Sequence, residues 1–98
     1  MNPRPDLHDA VLESFTFYWE TGTLLIKFGI GVDDTDVVVV ECGGVERISC
    51  PRLLPWGPSD FVNSSKQEPR QNGYLLTIEM QSGDLIEIFC GTVIRKGQ

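Results

Sequence analysis

The stretch Phe15-Thr16-Phe17-Tyr18-Trp19-Glu20-Thr21-Gly22-Thr23-Leu24-Leu25-Ile26-Lys27-Phe28 decides the fold. Large apolar residues alternate with others on both sides of Thr21-Gly22, the period of a strand with one buried face. A two-residue loop at Thr21-Gly22 sets Trp19 opposite Leu24, Phe17 opposite Ile26 and Phe15 opposite Phe28, all on one side. The other side pairs Tyr18 with Leu25, Thr16 with Lys27 and Ser14 with Gly29. A slip of one residue would put Phe15 opposite Lys27, so the pattern fixes which face is buried. Gly22 supplies the positive φ that the turn needs.

The same logic recurs from Leu75 to Phe89. A three-residue loop at Gln81-Ser82-Gly83 puts glycine at the left-handed position, sets Ile78 against Ile86 and Leu76 against Ile88, and leaves Thr77 with Glu87 outside. Between the two hairpins, Val37-Val38-Val39-Val40 is too short and too β-branched for a helix. Gly43-Gly44 follows, then Val45 to Cys50, which predicts a third hairpin. A loop of Gly43 to Val45 opposes Glu41 to Arg47 and Val40 to Ile48. Gly91 marks a bulge or break before a short tail, Thr92 to Lys96. Leu7 to Glu13 reads either as a helical turn or as the start of the first strand.

Pro51 to Gly73 holds four of the six prolines, and proline deletes a ladder donor, so no central strand runs through it. Its first half, Pro51 to Ser59, is stiff and apolar. Its second half, Asn63 to Gly73, is polar and reads as loop. Ser59 can cap one short turn through Asp60-Phe61-Val62. The expected fold is therefore a single all-β domain over residues 1–98. About six strands form three hairpins, as a small antiparallel sandwich or a partly open barrel. The expected core is Phe15, Phe17, Trp19, Leu24, Ile26, Phe28, Val38, Val40, Ile48, Leu76, Ile78, Ile86 and Ile88.

Composition bounds the function. At 98 residues, with 41% hydrophobic and 22% charged content, the chain reads as one globular domain. Its net charge of −6 and scattered basic residues argue against a nucleic-acid backbone as partner. The same charge suits a basic protein partner. Residues 1–9 are polar and broken by proline, unlike a signal peptide, and no apolar run has the length of a membrane helix. Cys42, Cys50 and Cys90 form no metal-ligand spacing, which fits a reducing cytoplasmic setting with thiols packed as small apolar groups.

Chemistry-bearing residues are few. His8-Asp9 places the one histidine beside a carboxylate, but sequence neighbours on a strand point to opposite faces, so adjacency makes no dyad. Asp33-Asp34-Thr35-Asp36 lacks the glycine and distant glutamate of a calcium loop and reads as a solvated turn. Gly29-Ile30-Gly31 has no following helix to hold a phosphate. No enzyme, cofactor or metal is expected. The candidate contact surface is Leu54, Pro55, Trp56, Gly57 and Ser59, with Asp60 as a rim charge. A tryptophan on a stiff proline-bounded loop loses little entropy on contact. The competing reading has Trp56 and Leu54 folding back to plug an open end of the sheet layers.

Leu7-His8-Asp9-Ala10, Pro55-Trp56-Gly57-Pro58-Ser59 and Met80-Gln81-Ser82-Gly83-Asp84 together resemble the layout of small bacterial all-β families of unassigned function. Some of these are similar to immunity proteins of polymorphic-toxin loci, which bind and neutralise a cognate toxin. The resemblance implies a non-enzymatic protein-interaction module and brings no catalytic residue. The alternative is a small-ligand-binding β domain with its pocket under residues 51–59. A free strand edge also allows a homodimer by sheet extension.

Overall fold

The computed structural model describes residues 10–30, 36–53 and 61–97. These residues form eight antiparallel strands: β1 Val11–Tyr18, β2 Thr23–Ile30, β3 Asp36–Gly43, β4 Arg47–Ser49, β5 Val62–Arg70, β6 Gly73–Met80, β7 Leu85–Cys90 and β8 Thr92–Gly97. They make two four-stranded sheets, ordered β1-β2-β3-β8 and β4-β7-β6-β5. The all-β antiparallel class is as the alternation predicts.

The first hairpin keeps its predicted faces but not its predicted register. Tyr18 pairs with Thr23, Phe17 with Leu24 and Phe15 with Ile26. The loop is Trp19 to Gly22, closed by the Gly22 amide donating to the Tyr18 carbonyl at 2.9 Å, with Gly22 at φ 66°. A shift of two residues leaves every side chain on the same face, so alternation alone cannot tell the two registers apart. The consequence is large for one residue: Trp19 leaves the ladder. The β6–β7 hairpin matches its prediction, with Ile78 on Ile86, Leu76 on Ile88, Thr77 on Glu87, and Gly83 at φ 101°.

The third predicted hairpin does not form. Val40 pairs with Ile26 on one side and Arg95 on the other, while Ile48 pairs with Ile88. The chain instead changes sheet between β3 and β4, and again between β7 and β8, and the two passages are bonded to each other. Gly43 pairs with Thr92, the Gly91 amide donates to the Gly43 carbonyl at 2.8 Å, and the Glu46 amide donates to the Phe89 carbonyl at 2.8 Å. Glu46 and Arg47 both oppose Phe89, which is a bulge and adds local bend. One continuous ladder thus turns a corner from the first sheet into the second. Glycine makes the corner possible: Gly44 sits at φ 59°, and a Cβ on Gly43 would lie 2.6 Å from Thr92 Oγ1.

Two loop expectations are corrected with it. Residues after Gly91 form a full strand paired to β3 rather than a tail. Asn63 to Arg70, read as loop, lies in β5, with a two-residue turn at Gln71-Asn72. Its polarity and Pro69 fit because β5 is an edge strand, with β6 as its one ladder partner. Leu7 to Glu13 resolves from Val11 onward as strand.

Away from the corner the sheets also touch. Val11 bridges to Phe61, and the Val62 amide donates to the Ala10 carbonyl at 2.9 Å. Further along, β1 passes Met80 and Ile86, then reaches Ile48 with Phe17. β1 therefore runs across the end of the second sheet, past residues of β5, β6, β7 and β4 in turn. The core between the sheets is Leu24, Ile26, Phe28, Val40, Cys42, Val62, Leu76, Ile78, Met80, Ile86, Ile88 and Cys90, with Ala10. Val38 is buried as well, and Phe15 packs against the core while half-buried.

Three expected core residues are outside it: Phe17 is 37%, Ile48 36% and Trp19 86% exposed. Phe17 and Ile48 lie on β1 and β4, each the edge strand of its sheet, and Trp19 lies in the turn beyond β1. Phe28→Ala should cost about 3–5 kcal/mol in urea unfolding, whereas Trp19→Ala should change stability by less than about 0.5 kcal/mol. Equal losses for the two variants would contradict this placement of the core.

Candidate functional site

Leu54, Pro55, Trp56, Gly57, Ser59 and Asp60, the contact residues expected from sequence, lie outside the described residues. The chain leading into them is described, and a buried polar knot fixes it. The Leu53 amide donates to Asp84 Oδ1 at 3.2 Å, and the Ser82 hydroxyl donates to Asp84 Oδ2 at 3.1 Å. Ser82 and Asp84 are both buried in the β6–β7 turn. Burying a carboxylate is tolerable only when its oxygens are hydrogen-bonded, and here one oxygen holds the turn and the other holds the chain after β4. The serine and aspartate of Gln81-Ser82-Gly83-Asp84 are visible in the sequence as turn formers. Their second task, anchoring a segment 31 residues away, is not.

This anchor sets Cys50, Pro51 and Arg52 across from β1. Between them lies a cleft of about 290 Å³, walled by Leu12, Glu13, Ser14 and Phe15 and floored by Met80 and Ile86. Beyond it, toward the β1–β2 turn, is a groove of about 250 Å³ lined by Phe17, Trp19, Val45, Glu46, Arg47 and Ile48. Phe15 and Phe17 share one face of β1, and Ile48 and Cys50 are alternate residues at the end of β4. The cleft and the groove therefore lie along one seam, where β1, the edge of the first sheet, passes the end of the second. In the groove, the Phe17 and Trp19 rings meet edge to face, with centroids 6.0 Å apart and planes at 85°. The indole stays 86% exposed with that contact made.

The outer face of the second sheet carries a broader hollow, about 490 Å³, lined among others by Ser64, Lys66, Glu68, Thr77, Glu79 and Glu87. Its polar groups are partly spent on one another, with Ser64 donating to Glu79 at 3.3 Å and Lys66 3.6 Å from Glu68. It has no exposed aromatic residue, and exposed pairs of this kind contribute little.

The cysteines divide in two. Cys42 and Cys90 are buried neighbours. Burial, with the neighbouring Cys90 next in size, pushes the Cys42 thiol up to about 12, so it is not a nucleophile at neutral pH. Cys50 is exposed, against the expectation of a buried thiol, in the segment that follows the short edge strand β4. Its pKa is also raised, first by partial burial and second by the Asp84 carboxylate. Among the described residues, no three His, Cys, Asp or Glu side chains are grouped to hold a metal ion. His8, Asp9 and Asp33 to Thr35 lie outside the described residues, and Asp36 opens β3. No helix among the described residues is long and apolar enough to cross a membrane.

No family model, curated protein or solved structure matches the chain.

Asp84→Ala should lower stability by about 1–3 kcal/mol, since it leaves the Leu53 amide without its acceptor. It should also speed hydrogen exchange at that amide by more than at the β2 amides; uniform protection across both would contradict the anchor. Alkaline pH offers a second check. A thiol whose folded pKa lies above its unfolded one stabilises the fold fully below pH 9, and that contribution is lost as pH rises toward about 12. Stability should therefore fall between these limits, and fall less steeply in Cys42→Ala. An identical slope in the variant would count against a buried, neutral Cys42.

Proposed function

We propose that this protein is a non-enzymatic protein-interaction module that engages its partner along the β1–β4 seam, centred on the groove of Phe17, Trp19, Val45 and Ile48. The observation that carries this reading is the exposure of Trp19, at 86%, on a turn where its ring meets Phe17 edge to face. Interface hot spots are enriched in tryptophan, a large rigid ring with only two side-chain torsions to lose on binding. The short-motif resemblance to immunity proteins points to the same class of function. Three free thiols suit a reducing compartment, and we read the cytoplasm as the setting.

Self-association by edge pairing is the less favoured form of this reading. β5 carries Pro69 and Lys66, β8 carries Arg95 and Lys96, and β1 has a register shift between Leu12 and Ser14. Proline, lysine and bulges each blunt strand addition.

A second reading has its own observation. The cleft between β1 and Cys50-Pro51-Arg52 has an apolar floor and lies under the first residues of the proline-rich segment, where a small ligand would sit. A ligand there should shift the methyl resonances of Met80 and Ile86 and leave Trp19 unmoved.

The interaction reading is tested by quantitative capture of partner with wild type, Trp19→Ala, and Ile94→Ser on the far face of the first sheet. Trp19→Ala should weaken capture by about 30-fold or more, as expected for a central aromatic, with Ile94→Ser unchanged. Undiminished capture by both Trp19→Ala and Phe17→Ala would put the surface elsewhere.

A further inference from the structure

The groove at Trp19 has an electrostatic character as well as an apolar one. All three lysines of the chain are engaged away from it: Lys27 with Glu13 at 3.7 Å, Lys66 with Glu68 at 3.6 Å and Lys96 with Glu41 at 2.9 Å. Arg70 also sits on Glu68, at 3.3 Å. Two exposed carboxylates beside the groove are left over. Glu46 lines it directly and Glu20 follows Trp19 in the turn, and neither has an ion-pair partner among the described residues. Arg47 is the groove's own cation, so one negative charge remains uncompensated there, on a chain whose net charge is −6. The face of an exposed indole attracts cations by its quadrupole, and it stands next to these carboxylates.

We infer that the groove of Phe17, Trp19, Val45 and Ile48, flanked by Glu20 and Glu46, receives a basic and apolar segment of a partner protein. The partner's aliphatic or aromatic side chain enters between Phe17 and Ile48. Its arginine or lysine lies over the Trp19 ring, within reach of the two carboxylates. This assignment rests on the seam being the interaction surface and adds the chemistry of what it takes. It follows from charge complementarity: an acidic partner would meet uncompensated like charge, and a purely apolar one would leave the carboxylates partly desolvated without a counter-charge. The groove is reached by side chains from β1, its turn and β4, so the segment is recognised through its side chains rather than by ladder pairing.

Three capped pentapeptides of equal apolar content separate the claims: Leu-Arg-Leu-Arg-Leu, Leu-Gln-Leu-Gln-Leu and Leu-Glu-Leu-Glu-Leu. Each is titrated into the full chain while the Trp19 indole and Ile48 methyl resonances are followed, the indole being assigned by Trp19→Phe. The arginine peptide should shift both signals saturably and bind about three- to tenfold tighter than the glutamine peptide, with the glutamate peptide weakest. Raising salt from about 0.05 to about 0.5 M should shrink that preference, and the Glu20→Gln/Glu46→Gln double variant should remove it. Both variant positions are exposed, so folding is not at risk, and retained dispersion of the spectrum checks this. Equal shifts from all three peptides would overturn the basic-partner assignment while leaving the groove as a binding surface. No shift at Trp19 or Ile48 from any of them would overturn both.

Discussion

The structure depends on one bent ladder. β3 and β4 are joined through Gly43-Gly44, β7 and β8 through Gly91, and the two passages are hydrogen-bonded across the bend. This arrangement carries one ladder from the first sheet into the second. It tolerates almost no side chain on its inner side. Gly43 abuts Thr92, Gly44 is left-handed, and a Cβ on Gly73 would collide with the Cys90 carbonyl oxygen. Buried Cys42 and Cys90 fill the space beside it as small neutral groups. The corner closes the sheets on one side, the Ala10–Val62 contact ties them at another, and the Val45 amide donates to the Gly22 carbonyl at 2.9 Å beside the β1–β2 turn. The cleft and the groove lie between these ties.

That constraint also explains the distribution of aromatic residues. β1 starts close to the core, where Leu12 and Phe15 pack against it, and becomes progressively exposed through Phe17 and Tyr18 to Trp19. A strand crossing the end of another sheet runs out of sheet to cover before it ends. The residues past that point are as large and apolar as those before it, so an exposed aromatic run is left over. Large exposed apolar groups in contiguous patches are uncommon on monomeric domains and mark contact surfaces. The buried Ser82–Asp84 knot contributes to the same seam from the opposite side, by holding the chain after β4 against the β6–β7 turn.

The legible and illegible parts of the sequence divide along physical lines. Face assignment in β2, β6 and β7 was readable because period-2 alternation reports burial directly, and the Gln81-Ser82-Gly83 loop was readable because Gly83 and the Ile78–Ile86 match agree. The first hairpin's register was not, since Thr21-Gly22 and Trp19-Glu20-Thr21-Gly22 loops give identical faces. Gly43-Gly44 reads equally as a hairpin turn or as a corner, and only the long-range partner, Gly91, decides between them. β5 was hidden because an edge strand need not be hydrophobic. The candidate site suffered most from this. The residues Phe17, Trp19 and Ile48 looked like core by type, and the signal that they are surface lies in which strands are edges, a property of topology rather than of local sequence.

The central claim is that the first-hairpin aromatic run leaves the core at Trp19 and forms a recognition surface. Acrylamide quenching of Trp19 in a Trp56→Phe background tests it most directly. The account predicts red-shifted emission and quenching close to that of a free indole. Blue-shifted emission shielded from acrylamide would place Trp19 inside the fold and remove both the register and the surface derived from it.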